Sequence, residues 1–174
     1  DLYAMNWKAV LDAQDAPGRD ATAPFNPSLD SKHAFERGTQ SADITREQDK
    51  LLWADAVILQ FPLWWFSMPA ILKGWIDRVW NRGWAYSASQ LRLEQGLLIG
   101  VAAGTPKNYD GRRGYRGAME IQLVQGVLDY CKVRNGRLEL LMNSKESDAM
   151  RAELLLRARA LGRDFVRETV EAAK

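Results

Sequence analysis

The longest apolar stretch of the chain constrains its fold more than any other feature. In the stretch from Ala56 to Leu72 only Gln60 and Ser67 are clearly polar, and a membrane-spanning helix needs ~20 apolar residues. Pro62 and Pro69 argue against such a helix, because each proline removes a backbone hydrogen bond from the helix interior. We therefore predict a buried strand that is followed by a loop, and we expect no membrane association.

Short apolar runs alternate with helical patterns along the rest of the chain. Residues 56–61 and 96–103 are nearly continuous apolar runs, which are typical of strands buried on both faces of a parallel sheet. Residues 137–141 predict a third strand. Helices are predicted at residues 43–54, 69–79, 118–130 and 147–172, the last with Ser147 as its N-cap. This alternation predicts an α/β fold with a doubly wound parallel sheet.

The length of 174 residues fits one domain, and we predict a single domain over residues 1–174. Residues 12–42 are rich in Asp, Ala, Pro, Gly and Ser and show little periodicity, so we expect a long surface excursion there. The composition leaves open whether this excursion is functional, contacts a partner or is a disordered insertion.

Charge and cysteine content exclude several function classes. The 24 basic and 22 acidic side chains leave a formal charge of +2 without a basic block, so no nucleic-acid partner is expected. The lone Cys131 cannot form an internal disulfide, and the lone His33 cannot build a His-rich site, so no structural metal is expected. The sequence opens at Asp1 without an apolar leader, and we expect a cytoplasmic protein.

Two predicted loops follow the carboxyl ends of strands, where ligands bind in sheets of this class. The first carries Leu63, Trp64, Trp65 and Phe66, whose bulky side chains would leave a costly exposed apolar patch unless something covers them. A flat ligand is one interpretation. Packing of the aromatic rings against a neighbouring helix or subunit is the other, and the sequence leaves both open.

Several segments together resemble the DT-diaphorase-like NAD(P)H:quinone oxidoreductases. They are residues 1–6 (DLYAMN), 43–44 with 47–48, 54–55 and 60–75 (QFPLWWFSMPAILKGW). The resemblance is strong up to about Tyr86 and weaker beyond it. It implies a flavodoxin-like fold and a dimeric flavoenzyme with FAD, or alternatively FMN, that reduces a quinone by two electrons from NAD(P)H in ping-pong fashion.

The resemblance also implies site residues. The loop along the flavin corresponds to Pro62, Leu63, Trp64, Trp65 and Phe66, and a second cofactor-binding loop to Ala103, Gly104 and Thr105. Tyr109 matches a catalytic tyrosine only after a shift of one position. Tyr86 matches a residue of the partner subunit's substrate pocket, and a tyrosine with a solvated hydroxyl at a helix end is the alternative.

The second loop departs from the family pattern. Arg116 stands where the family has a catalytic histidine; its guanidinium could stabilise negative charge but could not donate a proton near pH 7. The other cations of this loop, Lys107, Arg112 and Arg113, could meet a dinucleotide phosphate or could simply be solvated. The family's first strand, phosphate loop and first helix have no counterpart here, so we expect a truncated version of the fold.

Two alternatives to a quinone reductase stay open at this point. One is an FMN-dependent azoreductase or nitroreductase, which shares the fold, and the other is a non-catalytic dimerisation module. A homodimer is expected in either case, because Trp75, Trp80, Trp84 and Tyr86 are too closely spaced for one helix to bury them all against its own sheet.

Overall fold

Three parallel strands form the sheet of this protein. The computed structural model describes the backbone of residues 1–172 and the side chains of residues 1–165. The strands β1 (Ala56–Pro62), β2 (Gln95–Val101) and β3 (Gly136–Leu141) lie in the order β1-β2-β3. Leu98 pairs with Leu59 on one side and with Leu138 on the other. The predicted α/β fold with a parallel sheet is confirmed.

The middle strand has the burial that its apolar run predicted. Leu97, Leu98 and Ile99 of β2 are at most 4% exposed, whereas Ile58 of β1 is 42% exposed. Burial on both faces was therefore the correct prediction for β2 and the wrong one for β1. The reason is position, because β1 lies at one edge of the described sheet and β2 at its centre.

The described part of the chain forms two compact units. The first comprises Asp1–Ala54 and Ala70–Arg92, and the second comprises Asp55–Pro69 and the described residues from Leu93 onward. A single domain over the whole chain stays a prediction. Within residues 1–172, every helix falls short of the length and hydropathy that a transmembrane span demands.

Four helical segments accompany the sheet in the second unit. They are α4 (Pro106–Asp110), α5 (Tyr115–Met119), a π-helix (Glu120–Asp129) and α6 (Asp148–Ala172). Ser147 caps α6 as predicted, since its hydroxyl accepts from the Met150 N–H at 3.0 Å. The helix predicted at 118–130 is present, but most of it has π-helical hydrogen bonding. Leu97 and Ile99 form a core with Leu141 and Phe165.

The first unit contains three helices, α1 (Pro27–Glu36), α2 (Ala42–Trp53) and α3 (Ala70–Val79), of which the sequence predicted the last two. The helix α1 and a 3-10 turn at Ala13–Asp15 lie within the segment that was predicted to be a surface excursion. Asn26 caps α1 by accepting from the Leu29 N–H at 3.1 Å, and Pro27 occupies its first turn. These two residues are start signals for a helix, and a loop was the wrong interpretation of them.

A buried arginine anchors the beginning of this segment. Arg78 on α3 is 1% exposed and donates to both carboxylate oxygens of Asp15, at 2.8 and 3.1 Å. It also donates to the Lys8 carbonyl at 2.9 Å and pairs with Asp43 at 2.7 Å. Its guanidinium lies 4.5 Å from the centre of the Trp7 ring. The buried charge is therefore paired on several sides, as burial requires.

The tryptophans that suggested a partner subunit are buried within this chain. Trp75, Trp80 and Trp84 are 6%, 5% and 1% exposed. The Trp75 indole donates to Glu47 of α2 at 3.0 Å, and its ring centre lies 6.4 Å from that of Trp80. The argument for a homodimer from these tryptophans was wrong, because all three are already buried without a partner subunit.

Candidate active site

The loop after β1 is a tight turn with an unusual backbone. The Trp64 N–H donates to the Ser67 carbonyl at 3.1 Å, and the Ser67 N–H donates to the Trp64 carbonyl at 3.0 Å. The two residues between them, Trp65 and Phe66, have φ values of +50° and +59°. Positive φ at both central positions is the pattern of a type I′ turn, which normally carries Asn-Gly.

This conformation exposes Trp65 and costs free energy. A left-handed backbone costs about 1–2 kcal/mol for a residue with a side chain, and two such residues stand side by side. Trp65 is 94% exposed, and Trp64 is 54% exposed. Backbone strain of this kind concentrates at sites that bind ligands. The turn therefore holds a large, flat, apolar ring out toward solvent at the ligand-binding end of the sheet.

Phe66 points the other way and packs against the second loop. Its ring stacks on Tyr115 of α5 with centroids 4.0 Å apart and meets Tyr109 of α4 edge-on at 5.7 Å. Aromatic pairs contribute about 0.5–1.5 kcal/mol each beyond burial, which offsets part of the turn's strain. Of the two interpretations of the aromatic loop, packing against helices thus applies to Phe66, whereas Trp65 remains open to a ligand.

The loop after β2 is tied to β3 and fits closely around Tyr109. The Asn143 N–H donates to the Gly104 carbonyl at 3.0 Å, and the Ser144 N–H donates to the Ala102 carbonyl at 3.1 Å. A Cβ atom at Gly104 would lie 2.7 Å from Cε2 of Tyr109. Only glycine lets the ring occupy this position, where Tyr109 is 9% exposed.

A cavity of about 460 Å³ opens between the two loops. Its lining consists of Phe66, Gly104, Lys107, Asn108, Tyr109, Gly111, Arg112, Arg113 and Tyr115. This volume lies within the range of about 300–1,000 Å³ that small-molecule sites occupy. The cavity combines three aromatic rings with three cations, which is a surface suited to a flat ligand with negative charge.

The remaining predicted site residues lie elsewhere. Pro62 is exposed at the end of β1, and Ala103 and Thr105 are exposed on the second loop. The Leu63 N–H extends the sheet by donating to the Val101 carbonyl at 2.8 Å. Tyr86 belongs to the first unit, in a turn that the Gly83 N–H closes by donating to its carbonyl at 2.9 Å.

Arg116 is not brought into the cavity that Phe66 and Tyr109 line. It forms an ion pair with Asp110 and lines a second cavity of about 250 Å³ with residues such as Leu140 and Met142. Charge stabilisation by Arg116 is therefore an expectation that its position does not support. Tyr115, one residue earlier, stacks on Phe66 instead. Sequence reasoning missed Tyr115, and its only signal was a second aromatic residue in a polar loop.

Comparisons with known proteins define the class. Residues 1–161 match the family described as having a flavodoxin-like fold, and the chain belongs to this family. It is 37% identical over 146 residues to a ribosyldihydronicotinamide dehydrogenase-like protein of Penicillium crustosum, covering 75% of this chain and 55% of that protein. It is 36% identical over 141 residues to rat NAD(P)H dehydrogenase [quinone] 1, covering 75% of this chain and 51% of that protein.

A solved structure also supports the similarity to quinone reductases. The crystal structure of a Klebsiella pneumoniae protein assigned as a quinone reductase superposes with a TM-score of 0.82 at 40% identity, covering 93% of this chain and 70% of that one. The predicted resemblance to NAD(P)H:quinone oxidoreductases is confirmed. The chain spans about half the length of the curated relatives that it matches first.

Proposed function

We propose that this chain serves the flavin-dependent, two-electron reduction of quinones by NAD(P)H. The observation that carries the proposal is the exposed Trp65, held on a strained turn beside a cavity with an aromatic floor. The similarity to proteins named as quinone-reducing dehydrogenases supports it. The lone Cys131 does not offer an alternative redox group, because burial raises the pKa of its thiol to about 11.

The cavity fits a flavin in its chemistry. A planar ring would find aromatic partners in Phe66, Tyr109 and Tyr115, which line the cavity, and the absence of a side chain at Gly104 lets the Tyr109 ring take its place there. The residues that would hold the cofactor are those of the Trp64–Ser67 turn and of the Gly104–Thr105 loop. A bound flavin supplies the hydride and electron transfer chemistry that no side chain provides. We favour FAD, with FMN as the alternative.

The chain's own residues would position the ligands. Tyr109 and Tyr115 pack against the Phe66 ring and hold it in the lining of the cavity. The three rings together give this part of the lining an apolar surface. Lys107, Arg112 and Arg113 give the lining of the cavity positive charge. Donor and acceptor would use this cavity in turn, in the ping-pong order that the family resemblance implies.

The test is reconstitution of the purified chain with FAD and, separately, with FMN. We expect a visible flavin absorption band after gel filtration and NAD(P)H oxidation that depends on an added quinone. Absence of a bound band with both cofactors rejects the proposal. An acceptor panel that includes an azo dye and a nitroaromatic compound separates the azoreductase-like alternative, and any measurable turnover removes the non-catalytic one.

We also propose a cytoplasmic homodimer. The exposed neighbouring side chains Leu155 and Leu156, which are 64% and 63% exposed, support self-association. A buried free thiol suits a reducing compartment. Sedimentation velocity across micromolar concentrations tests the dimer, and a monomer at every concentration rejects it.

A further inference from the structure

The loop after β2 separates its charges onto two sides. Asp110 pairs with Arg116, and both line the smaller cavity. Lys107, Arg112 and Arg113 line the aromatic cavity, and none of the described residues around that cavity is acidic. Arg113 lies 6.0 Å from the centre of the Tyr115 ring and reaches its hydroxyl at 3.4 Å. Asp110 therefore pairs with Arg116 and does not line the larger cavity, where Lys107, Arg112 and Arg113 lie.

Some exposed cations of the same unit have a carboxylate partner, and others, such as Lys145, have none among residues 1–165. Three other exposed arginines of the same unit each pair with an acid: Arg134 with Glu94, Arg151 with Asp148 and Arg157 with Glu139. Within residues 1–165, by contrast, the structure gives Lys107 and Arg112 no carboxylate partner. Like charges held close together repel each other, and an anion bound between them relieves the repulsion.

We propose that these cations, which we name the basic rim (Lys107, Arg112 and Arg113), make the site selective for planar substrates that carry a negatively charged group. The aromatic side chains of the cavity (Phe66, Tyr109 and Tyr115) would contact the planar ring, and the basic rim would pair with the negatively charged group. Two sources share this chemistry, namely the pyrophosphate of a nicotinamide dinucleotide and an acidic substituent on a quinone. That such ligands are reduced at this site rests on the proposed function. The preference for binding a negatively charged ligand does not rest on it.

The first experiment measures binding without turnover. The probes are anthraquinone-2-sulfonate and its uncharged analogue 2-(hydroxymethyl)anthraquinone, titrated against the purified chain, with and without added flavin, by tryptophan fluorescence at low and high salt. We expect tighter binding of the sulfonate, and a preference that shrinks as salt is added. The triple variant Lys107→Gln, Arg112→Gln, Arg113→Gln should weaken sulfonate binding about ten-fold and leave the uncharged probe unchanged.

Matched variants control for general effects of charge. Lys145→Gln removes an exposed cation of the same unit outside the basic rim and should leave both affinities unchanged. Arg112→Gln alone removes a side chain that makes no described hydrogen bond, so it keeps the test valid if the triple variant unfolds. We expect this single change to weaken sulfonate binding by a smaller factor, about two- to three-fold.

The second experiment identifies the source of the charge. Rates with NADH are compared with those for dihydronicotinamide riboside, which lacks phosphate, in the original chain and in the triple variant. A selective loss with NADH assigns the basic rim to the donor, and a selective loss with the sulfonated quinone assigns it to the acceptor. Equal affinity for both anthraquinones, or a variant that loses only its flavin, overturns the inference. Sulfonate selectivity without any turnover instead upholds it and rejects the proposed function.

Discussion

Trp65 is the residue whose position and role are most easily separated by experiment. Its side chain is 94% exposed, so Trp65→Ala removes almost no buried contact and should change the free energy of unfolding by less than about 0.5 kcal/mol. A core tryptophan would cost about 3–5 kcal/mol. We expect the variant to lose flavin retention or quinone turnover while its chemical denaturation curve stays in place.

Trp53→Ala is the matched control, because Trp53 is 88% exposed but lies at the end of α2. It should affect neither stability nor turnover. A Trp65→Ala protein that unfolds, or one whose turnover equals that of the Trp53→Ala protein, would show that Trp65 does not meet a ligand.

Gly104 should be intolerant of even one added methyl group. In Gly104→Ala the new Cβ would lie 2.7 Å from Tyr109, so the ring must leave its place between Phe66 and the loop. We expect a clear loss of turnover and of sulfonated quinone binding, measured by steady-state kinetics and by fluorescence titration. Gly117→Ala is the control, since nothing lies within 4 Å of a Cβ there, and alanine favours the helix by up to about 1 kcal/mol.

For single residues, the sequence predicted that the aromatic side chains of the first loop follow the end of a strand. It did not predict their backbone conformation. Trp65 and Phe66 follow a strand that ends at Pro62, which identified the ligand-binding edge. Their left-handed backbone was unpredictable, because aromatic residues do not favour positive φ. Tyr115 was missed because its contact with Phe66 depends on the path of a glycine-rich loop.

Among the elements, α3 anchors the segment at residues 7–15 through one side chain. Arg78→Met removes a guanidinium that is 1% exposed and leaves Asp15, whose side chain is 3% exposed, with Lys8 at 3.1 Å as its remaining cationic partner. Loss of one partner from a buried pair costs about 3–5 kcal/mol, because the remaining charge stays desolvated. Because Lys8 still pairs with Asp15, we expect a loss at the lower end of that range, about 3 kcal/mol, in the free energy of unfolding from urea denaturation.

The same helix supplies the comparison for Arg78→Met. Lys73→Met breaks a solvent-exposed pair with Asp77 and should cost no more than about 0.5 kcal/mol. If the two variants are equally stable, the buried network around Arg78 contributes nothing beyond a surface ion pair.

Elements with a continuous apolar run or an apolar periodicity were predicted, whereas the capping signals of α1 alone did not lead to a predicted helix. The strands β1 to β3 and the Ser147 cap of α6 followed from local sequence. The helix α1 was missed because its buried side chains are only Ser31 and Ala34, which give no apolar periodicity. The π-helical hydrogen bonding of residues 120–129 has no sequence signal that we recognise.

For the whole molecule, we expect the free energy of unfolding to decrease at low pH because Asp43 becomes protonated. Partial burial opposes the charged form of this carboxyl, but the hydrogen bond and charge of Arg78 outweigh that effect and lower its pKa. A lowered pKa in the folded state gives stability that is present above the ordinary aspartate pKa of about 3.9 and is lost as the pH falls through the folded value.

Urea denaturation at a series of pH values between about 6 and 2 tests this linkage. Asp43→Asn should be less stable than the original chain near neutral pH, and the difference should shrink as the pH falls below about 4. Parallel stability curves for the two proteins across this range would show that the Asp43–Arg78 pair has no part in acid denaturation.

Whole-molecule properties were the least predictable from sequence. Periodicity identified Trp75 on an apolar helix face, but it could not show that the same unit covers this face and also buries the neighbouring Trp80 and Trp84. What covers a surface depends on packing between distant parts of the chain, which local patterns do not encode. The burial of these tryptophans within the chain removed the reason to expect that they contact a partner subunit.

The π-helix at Glu120–Asp129 has a consequence for amide hydrogen exchange. Its N–H groups bond to carbonyls five residues earlier, as the Tyr130 N–H does to Gln125 at 3.1 Å, which is a rarer and less favourable geometry than that of the α-helix. The segment is held in place by Leu123 and Leu128, which are 2% and 0% exposed. Deuterium should therefore enter its backbone through local openings that leave β2 protected, so that labelling divides the second unit into an early and a late exchanging layer.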